Sequence, residues 1–281
     1  MKSRVITGSF LAITFLLCVL LLPPFILGIF FTLLFVYAFI EWLSITSLSS
    51  QTKIIYLSLF VIAIFMSFNI SRELLYDLIS FAIIFWTIIT SLIIFKSSLL
   101  KYAFLKVAPI FGFFSLYLPW MIVIHMSSEA SLPEINQSII NIFQDDGFDN
   151  VRGYFLLIIA IVSLSDIAGY LVGKRFGKFK LCEDISPNKT IEGFLASIII
   201  PSVLLITYFT IYKQYPLMML DVLLMAMCCI SCTIGDLFIS TLKRAYNKKD
   251  SGSLLPGHGG LLDRLDSYLL TTIVYYYWMF I

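Results

Sequence analysis

Charge is scarce in this sequence. Asp, Glu, Lys and Arg make up 13% of its 281 residues, about half the roughly 25% of an ordinary soluble domain. Apolar types fill the difference at 60%, which excludes a water-exposed globule. With 19 basic against 17 acidic residues, the net charge of +2 is too small to suggest a nucleic-acid partner. Cysteine is limited to Cys18, Cys182, Cys228, Cys229 and Cys232. Four of these lie in apolar runs and one in a basic loop, so no disulfide framework is visible. Cys228, Cys229 and Cys232 read as small polarizable residues at a helix–helix contact rather than as a metal cluster. No internal repeat or low-complexity linker divides the chain. No small-x-small cleavage site precedes Pro23-Pro24, so Lys2, Arg4 and the apolar run behind them read as an uncleaved first helix.

Long apolar runs, by contrast, are everywhere. A bilayer core of ~30 Å is crossed by ~20 apolar residues in a helix. Runs of about that length fall at 5–22, 25–43, 54–70, 78–95, 105–126, 153–173, 194–212, 217–240 and 266–281. The expected fold is an all-α polytopic membrane protein with about nine transmembrane helices in one domain. Orientation follows from the basic residues. With the N-terminus inside, only Arg72, Arg152 and Lys213 of the 19 Lys and Arg fall outside, which predicts N-terminus inside and C-terminus outside. Tyr275, Tyr276, Tyr277 and Trp278 suit an aromatic belt at the far interface. The outside loop 127–152 is acidic and reads as solvated, with a short amphipathic helix near Pro133–Phe143. His125 reads as interfacial, and so does Glu41, near the inside end of the second run.

Polar chemistry concentrates in residues 240–266. This stretch gathers Lys243, Arg244, Lys248, Lys249 and Arg264 around Asp250, Asp263 and Asp266, with four glycines, Pro256 and His258. Clustered cations beside spaced carboxylates and a Gly-rich turn are what a polyphosphate–metal site requires. Cations balance phosphate charge, carboxylates hold a divalent ion, and glycines let backbone N–H groups approach. A loop that merely fixes topology would account for the cations but not for Gly259-Gly260, His258 or two acids entering a helix. A second basic loop carries Lys174, Arg175, Lys178, Lys180 and Lys189. Within it Ser186-Pro187 reads as a turn, and Thr190 as the cap of the next helix.

Carboxylates inside the apolar runs add to this. An ionised group there costs roughly 3 kcal/mol on insertion scales and needs a partner or a function. Asp166 and Asp236 both fall in the cytoplasmic half of their helices. Asp236 and Ser240 share a face at i, i+4, and Asp263 and Asp266 share one at i, i+3. Three helices thus deliver acids to one depth beside both basic loops. A divalent ion, or salt bridges to Arg264 and Lys243, would relieve the repulsion among these acids, and hard oxygen donors beside phosphates favour Mg²⁺, with a second ion as an option.

The 240–266 stretch resembles the signature of the phosphatidate cytidylyltransferase (CDP-diacylglycerol synthase) family. The matching elements are Ser240, Lys243-Arg244, Lys249-Asp250, Gly252, Pro256, His258-Gly259-Gly260, Asp263-Arg264 and Asp266. The loop from Gly173 to Gly193 is similar to the same family, which has Gly-(Lys/Arg)-x-Phe-Gly-Lys-x-Lys-Leu followed by Ser-Pro-x-Lys-Thr. One departure stands upstream, where Ile167 replaces the family's hydroxyl residue after Asp166. The resemblance covers about residues 160–270. Residues 1–126 are less specific helices, and 153–281 hold the expected catalytic helices and cytoplasmic loops.

The resemblance implies an enzyme of phospholipid synthesis that transfers CMP from CTP to phosphatidic acid, giving CDP-diacylglycerol and pyrophosphate. It implies that Asp236, Asp263 and Asp266 hold Mg²⁺, that Lys243, Arg244, Lys249 and Arg264 neutralise the triphosphate, and that His258 donates a hydrogen bond or proton. Ser240, Asp250, Gly259, Gly260, Lys174, Arg175, Lys189 and Asp166 are then substrate-binding candidates. A homodimer in the bacterial inner membrane, with its site facing the cytoplasm, is expected. The rival readings are a CTP-dependent lipid kinase, a CDP-archaeol synthase and, from another class, an ion-coupled transporter.

Overall fold

The computed structural model describes residues 13–67, 70, 72–127, 150–212, 217–254 and 259–280. After a helical stretch over residues 13–21 come α1 (Pro24–Ile45), α2 (Ser50–Met66), α3 (Arg72–Phe95), α4 (Ser97–Ser127) and α5 (Asn150–Phe176). A two-stranded ribbon follows, β1 (Lys180–Cys182) and β2 (Ser186–Thr190). The chain then forms α6 (Ile191–Thr207), continued by a π turn at Tyr208–Tyr212, α7 (Met219–Ala245) and α8 (Leu262–Phe280). Six of these helices, α1 and α3 to α7, are long and apolar enough to cross a membrane. The amphipathic helix expected near Pro133–Phe143 lies outside the described residues.

The boundaries have local causes. Pro24 opens α1 in the first turn, where a missing N–H costs nothing. Ser49 caps α2 by accepting from the Thr52 amide at 3.2 Å. Thr190 caps α6 as its sequence position predicts, accepting from Gly193 N at 3.2 Å. Asn247, at φ +54°, ends α7 in a left-handed turn. There Lys248 N reaches Lys243 O at 2.8 Å and Asn247 N reaches Arg244 O at 3.2 Å, so the last carbonyls are satisfied.

Two expectations change. Residues 97–104, read as a loop, belong to α4, which follows α3 after the single residue Lys96. The helix bends at Val107 (φ −135°, ψ 27°), two residues before Pro109, whose ring removes a donor and crowds the preceding turn. In addition, Ser186–Thr190 is a strand rather than a simple turn, paired antiparallel with β1.

Buried aromatic side chains lock the halves together. The Trp42 ring lies 6.0 Å from Phe104 and 5.7 Å from Phe238, and Phe238 lies 4.9 Å from Trp86. Trp42 Nε1 donates to Ala108 O at 2.9 Å, just before the proline of α4. Outward faces carry Phe25, Ile84, Ile167 and Leu223, all exposed. An apolar exterior around an apolar core is what a bilayer-embedded bundle requires, and the protein is an integral membrane protein.

At the far end the aromatic run does not form an outward belt. Tyr275, Tyr276 and Trp278 are buried, and Tyr277 is exposed. Tyr275 OH donates to Tyr154 O at 3.0 Å and Trp278 Nε1 to Asp221 Oδ1 at 3.1 Å. These polar tips found partners inside the bundle instead of in headgroups.

Candidate active site

Helix α7 brings Asp236 toward α8 because Gly235 lets the two backbones touch. A Cβ on Gly235 would lie 2.2 Å from the carbonyl oxygen of Asp266. Small residues at a membrane helix crossing permit such close approach. The apolar side of the same contact holds the cysteines. Cys228, Cys229 and Cys232 are buried and free, and Thr271 of α8 lies 3.4 Å from Cys232 Sγ. They are packing residues here.

A cavity of 620 Å³ opens where α5, α6, α7, α8 and the ribbon meet. Asp166, Asp236, Asp263, Asp266, Lys174, Lys189 and Arg264 all line it, together with Ser165, Ser197, Thr233 and Ser267. Acids from three helices and cations from both basic segments therefore converge, as the sequence predicts. Within the cluster, Ser267 Oγ donates to Asp166 Oδ1 at 3.5 Å, and Ser240 Oγ donates to Asp236 Oδ1 at 3.1 Å. Asp266 Oδ1 accepts from Ser267 N at 2.8 Å.

Cations and acids are paired across elements. Lys189 Nζ of β2 lies 2.7 Å from Asp236 Oδ2, with side chains 25% and 32% exposed. Lys243 Nζ of α7 lies 2.7 Å from Asp263 Oδ1, with side chains only 12% and 10% exposed. Asp263 is further saturated. Its Oδ2 accepts from Ser251 N at 2.9 Å, Ser251 Oγ at 3.0 Å and Gly260 N at 3.0 Å. The turn before it needs a glycine, since Gly259 has φ +83° and a Cβ there would meet Asp263 Oδ2 at 2.4 Å.

The remaining candidates divide by position. Arg244 lies off the cavity lining and donates to two carbonyls, Ile185 O from Nε at 3.2 Å and Lys248 O from Nη1 at 3.3 Å. In this structure it ties the two basic loops together. Lys249 and Asp250 are exposed on the outer side of their loop. Arg175 sits over the Phe176 ring at 5.5 Å, and His258, the expected hydrogen-bond or proton donor, lies outside the described residues. Gly259 and Gly260 pack against protein acids rather than against open space. In the second loop, burial pushes the Cys182 thiol up; Lys189 opposes this and Asp184 adds to it. Cys182 is thus held as a thiol at neutral pH.

Sequence reasoning misplaced Glu41. It is buried at 4% exposure rather than interfacial. Its Oε2 accepts from Leu262 N at 2.8 Å and Ser251 Oγ at 3.1 Å. The only local signal was an acid in an apolar helix, and the partners lie more than 200 residues away. Ser267 was also missed, because a serine in an apolar run normally satisfies itself on its own helix.

Could the residues present hold a metal? Asp166, Asp236 and Asp266 offer hard oxygens to one cavity. Among the described residues no group of three or more His, Cys, Asp or Glu stands close enough to close a cage. Such a set suits an ion that keeps part of its shell as water and substrate oxygens, which is the habit of Mg²⁺. Asp263 lines the same cavity, with Oδ1 held by Lys243 and Oδ2 by the loop donors.

The chain is 42% identical over 125 residues to "Phosphatidate cytidylyltransferase" of Bacillus subtilis, covering 44% of this chain and 46% of that protein. It is 45% identical over 120 residues to the protein of the same name from Staphylococcus aureus, covering 41% and 45%. With the Mycobacterium leprae protein of that name it shares 42% identity over 134 residues, covering 47% and 41%. In each case less than half of either chain is aligned. A family model described as "Cytidylyltransferase family" matches far more, residues 2–281. Since that match takes in the early helices as well as the cavity, the chain belongs to the cytidylyltransferase family.

Proposed function

We propose that this protein transfers CMP from CTP to phosphatidate, releasing pyrophosphate and leaving CDP-diacylglycerol in the membrane. The observation that carries the reading is the meeting of helix-borne carboxylates with Lys174, Lys189 and Arg264 on one cavity. A phosphate oxygen of phosphatidate attacks the α-phosphorus of CTP. The new O–P bond forms as the bond from that phosphorus to the bridging oxygen breaks, and this oxygen leaves with the bonding electrons on pyrophosphate. The lipid phosphate is already anionic, so no activated serine or cysteine is needed. The difficulty is bringing two anions together, and Lys189, Arg264 and Lys174 supply the opposing charge.

Asp236, Asp266 and Asp166 would hold Mg²⁺, which when bound adds positive charge against the CTP phosphates. Lys189 is the group best placed to exchange partners. Its bond to Asp236 is partly open to solvent, so an arriving phosphate can take the ammonium, which would free the carboxylate as a ligand for Mg²⁺. Asp263, closed in by Lys243 and the loop donors, orders the Gly-Gly turn beside the site.

The same proposal gives the chain nine spans, with the N-terminus inside, the C-terminus outside and the cavity at the cytoplasmic face of a bacterial inner membrane. Acyl chains then stay in lipid while the headgroup meets water-soluble CTP. A homodimer belongs to this reading through the family resemblance.

The test is to incubate purified protein in mixed micelles with labelled CTP, Mg²⁺ and phosphatidic acid, and to follow label into the lipid phase. Label should enter the lipid, stop when EDTA is added, and fall at least about a hundredfold in Asp236→Asn. A folded preparation that labels no lipid sinks the proposal. One that labels diacylglycerol or a polyprenol instead moves it to a different acceptor.

A further inference from the structure

The carboxylate of Glu41 stands outside the cavity yet touches the segment that shapes it. It comes from the last turns of α1, in the half of the chain where sequence motifs are weakest. Its Oε2 accepts from Leu262 N, the first residue of α8, and from Ser251 Oγ. Ser251 Oγ also lies 3.0 Å from Asp263 Oδ2. A hydroxyl has one proton to donate, so this serine is a shared joint between two carboxylates. Gly260 completes the contact, since a Cβ there would sit 2.3 Å from Glu41 Oε2 and 2.2 Å from Ser251 Oγ. Among the described residues the other oxygen, Oε1, has no hydrogen-bond partner.

A buried carboxylate is a poor choice for stability alone, because such a group costs free energy to desolvate. An apolar residue of similar size would pack the same space without that cost. The same turn of α1 is held a second time, where Lys248 Nζ donates to Ser44 O at 2.9 Å. Trp42, next to Glu41, pins the turn to α4 through Ala108 O. Glu41 is thus presented on a rigid mount toward the one loop that carries Asp263 and Arg264 into the cavity.

We infer that Glu41 is a positioning residue for the transfer reaction, acting through Ser251 and the Leu262 amide to set where Asp263 and Arg264 stand. This rests on the proposed CMP transfer, although its structural half can be read without it.

The experiment uses the full chain in detergent, with Glu41→Gln and Ser251→Ala compared with the unsubstituted protein. Glutamine keeps the shape and one acceptor but loses the charge. Alanine removes only the shared hydroxyl. Two readouts are taken: hydrogen exchange of peptides spanning Ser251–Leu265, and kcat and KM for lipid labelling. In both variants exchange in that segment should quicken about tenfold, while the middle of α7 keeps its protection. Turnover should fall about tenfold to a hundredfold, with KM for CTP within about twofold. The double variant should be no worse than the poorer single, since both act through one joint.

Unchanged exchange around Ser251 in Glu41→Gln overturns the inference whether or not the protein transfers CMP. Quickened exchange with unchanged kcat overturns the positioning role and leaves only an anchor. Exchange that rises throughout the chain assigns the loss to general unfolding and also overturns it, in which case Ser251→Ala must give the same result. Variants that exchange as described, beside an unsubstituted protein that labels no lipid, defeat the proposed reaction rather than the anchor.

Discussion

Lys189–Asp236 and Lys243–Asp263 are both 2.7 Å pairs, but their surroundings differ. Asp263 is nearly closed to solvent and carries three further donors on its second oxygen. Removing its charge leaves Lys243 buried without a partner and turns an amide NH₂ toward donors. Asp263→Asn should therefore destabilise the fold by roughly 3 kcal/mol. Asp236→Asn opens a pair that water already reaches and should cost less than about 1 kcal/mol, with activity lost all the same. Thermal unfolding in detergent beside the lipid-labelling assay checks both, and equal destabilisation would refute the distinction. The site acids were legible in the sequence because an ionised side chain in an apolar run has few innocent explanations. Asp166, Asp236 and Asp266 all reached the cavity. Arg244 was less legible. Its place beside Lys243 suggested a phosphate ligand, but its guanidinium spans two loop carbonyls, and sequence spacing carries no information on which acceptor a long side chain will find.

Among elements, the α7–α8 crossing matters most, and it turns on one missing side chain. Gly235→Ala would drive a methyl into the Asp266 carbonyl. Because the obstacle is backbone, the helices must separate, carrying Asp236 away from Asp266. We expect activity to fall at least about tenfold and stability by roughly 1–3 kcal/mol. A variant as active as the parent would mean that the crossing tolerates more room than the backbone contact allows. Helix existence was readable from the apolar runs, each of which falls on a helix among the described residues. Boundaries were less so. Lys96 alone separates α3 from α4, where Lys101 and Lys106 mimic a loop. The β1–β2 ribbon escaped for a related reason. Five residues containing Ser186-Pro187 read as a turn, and strand pairing depends on β1, which has no alternation of its own to announce it.

For the whole molecule, orientation is the property most open to test. Cysteines at Met218 and Lys249, introduced one at a time into a cysteine-free background, lie at opposite ends of α7. With the N-terminus inside, Met218→Cys should react with a membrane-impermeant maleimide in intact cells. Lys249→Cys should react only after permeabilisation. Labelling of both from the same side would overturn the topology. The early helices, unremarkable in sequence, reach the later part of the chain, since Trp42 bonds to α4 and Glu41 to the first residue of α8. That arrangement has a consequence in time. Glu41 precedes Leu262 by 221 residues, so at 5–20 residues per second a ribosome needs about 10 to 45 seconds to supply the second of its donors. Through all but the end of that interval the nascent bundle carries a carboxylate with neither the Ser251 hydroxyl nor the Leu262 amide. Closure of the loop before α8 is then among the last events of synthesis, and a chain that stops short of Ser251 retains an acid without these two donors in its first long helix.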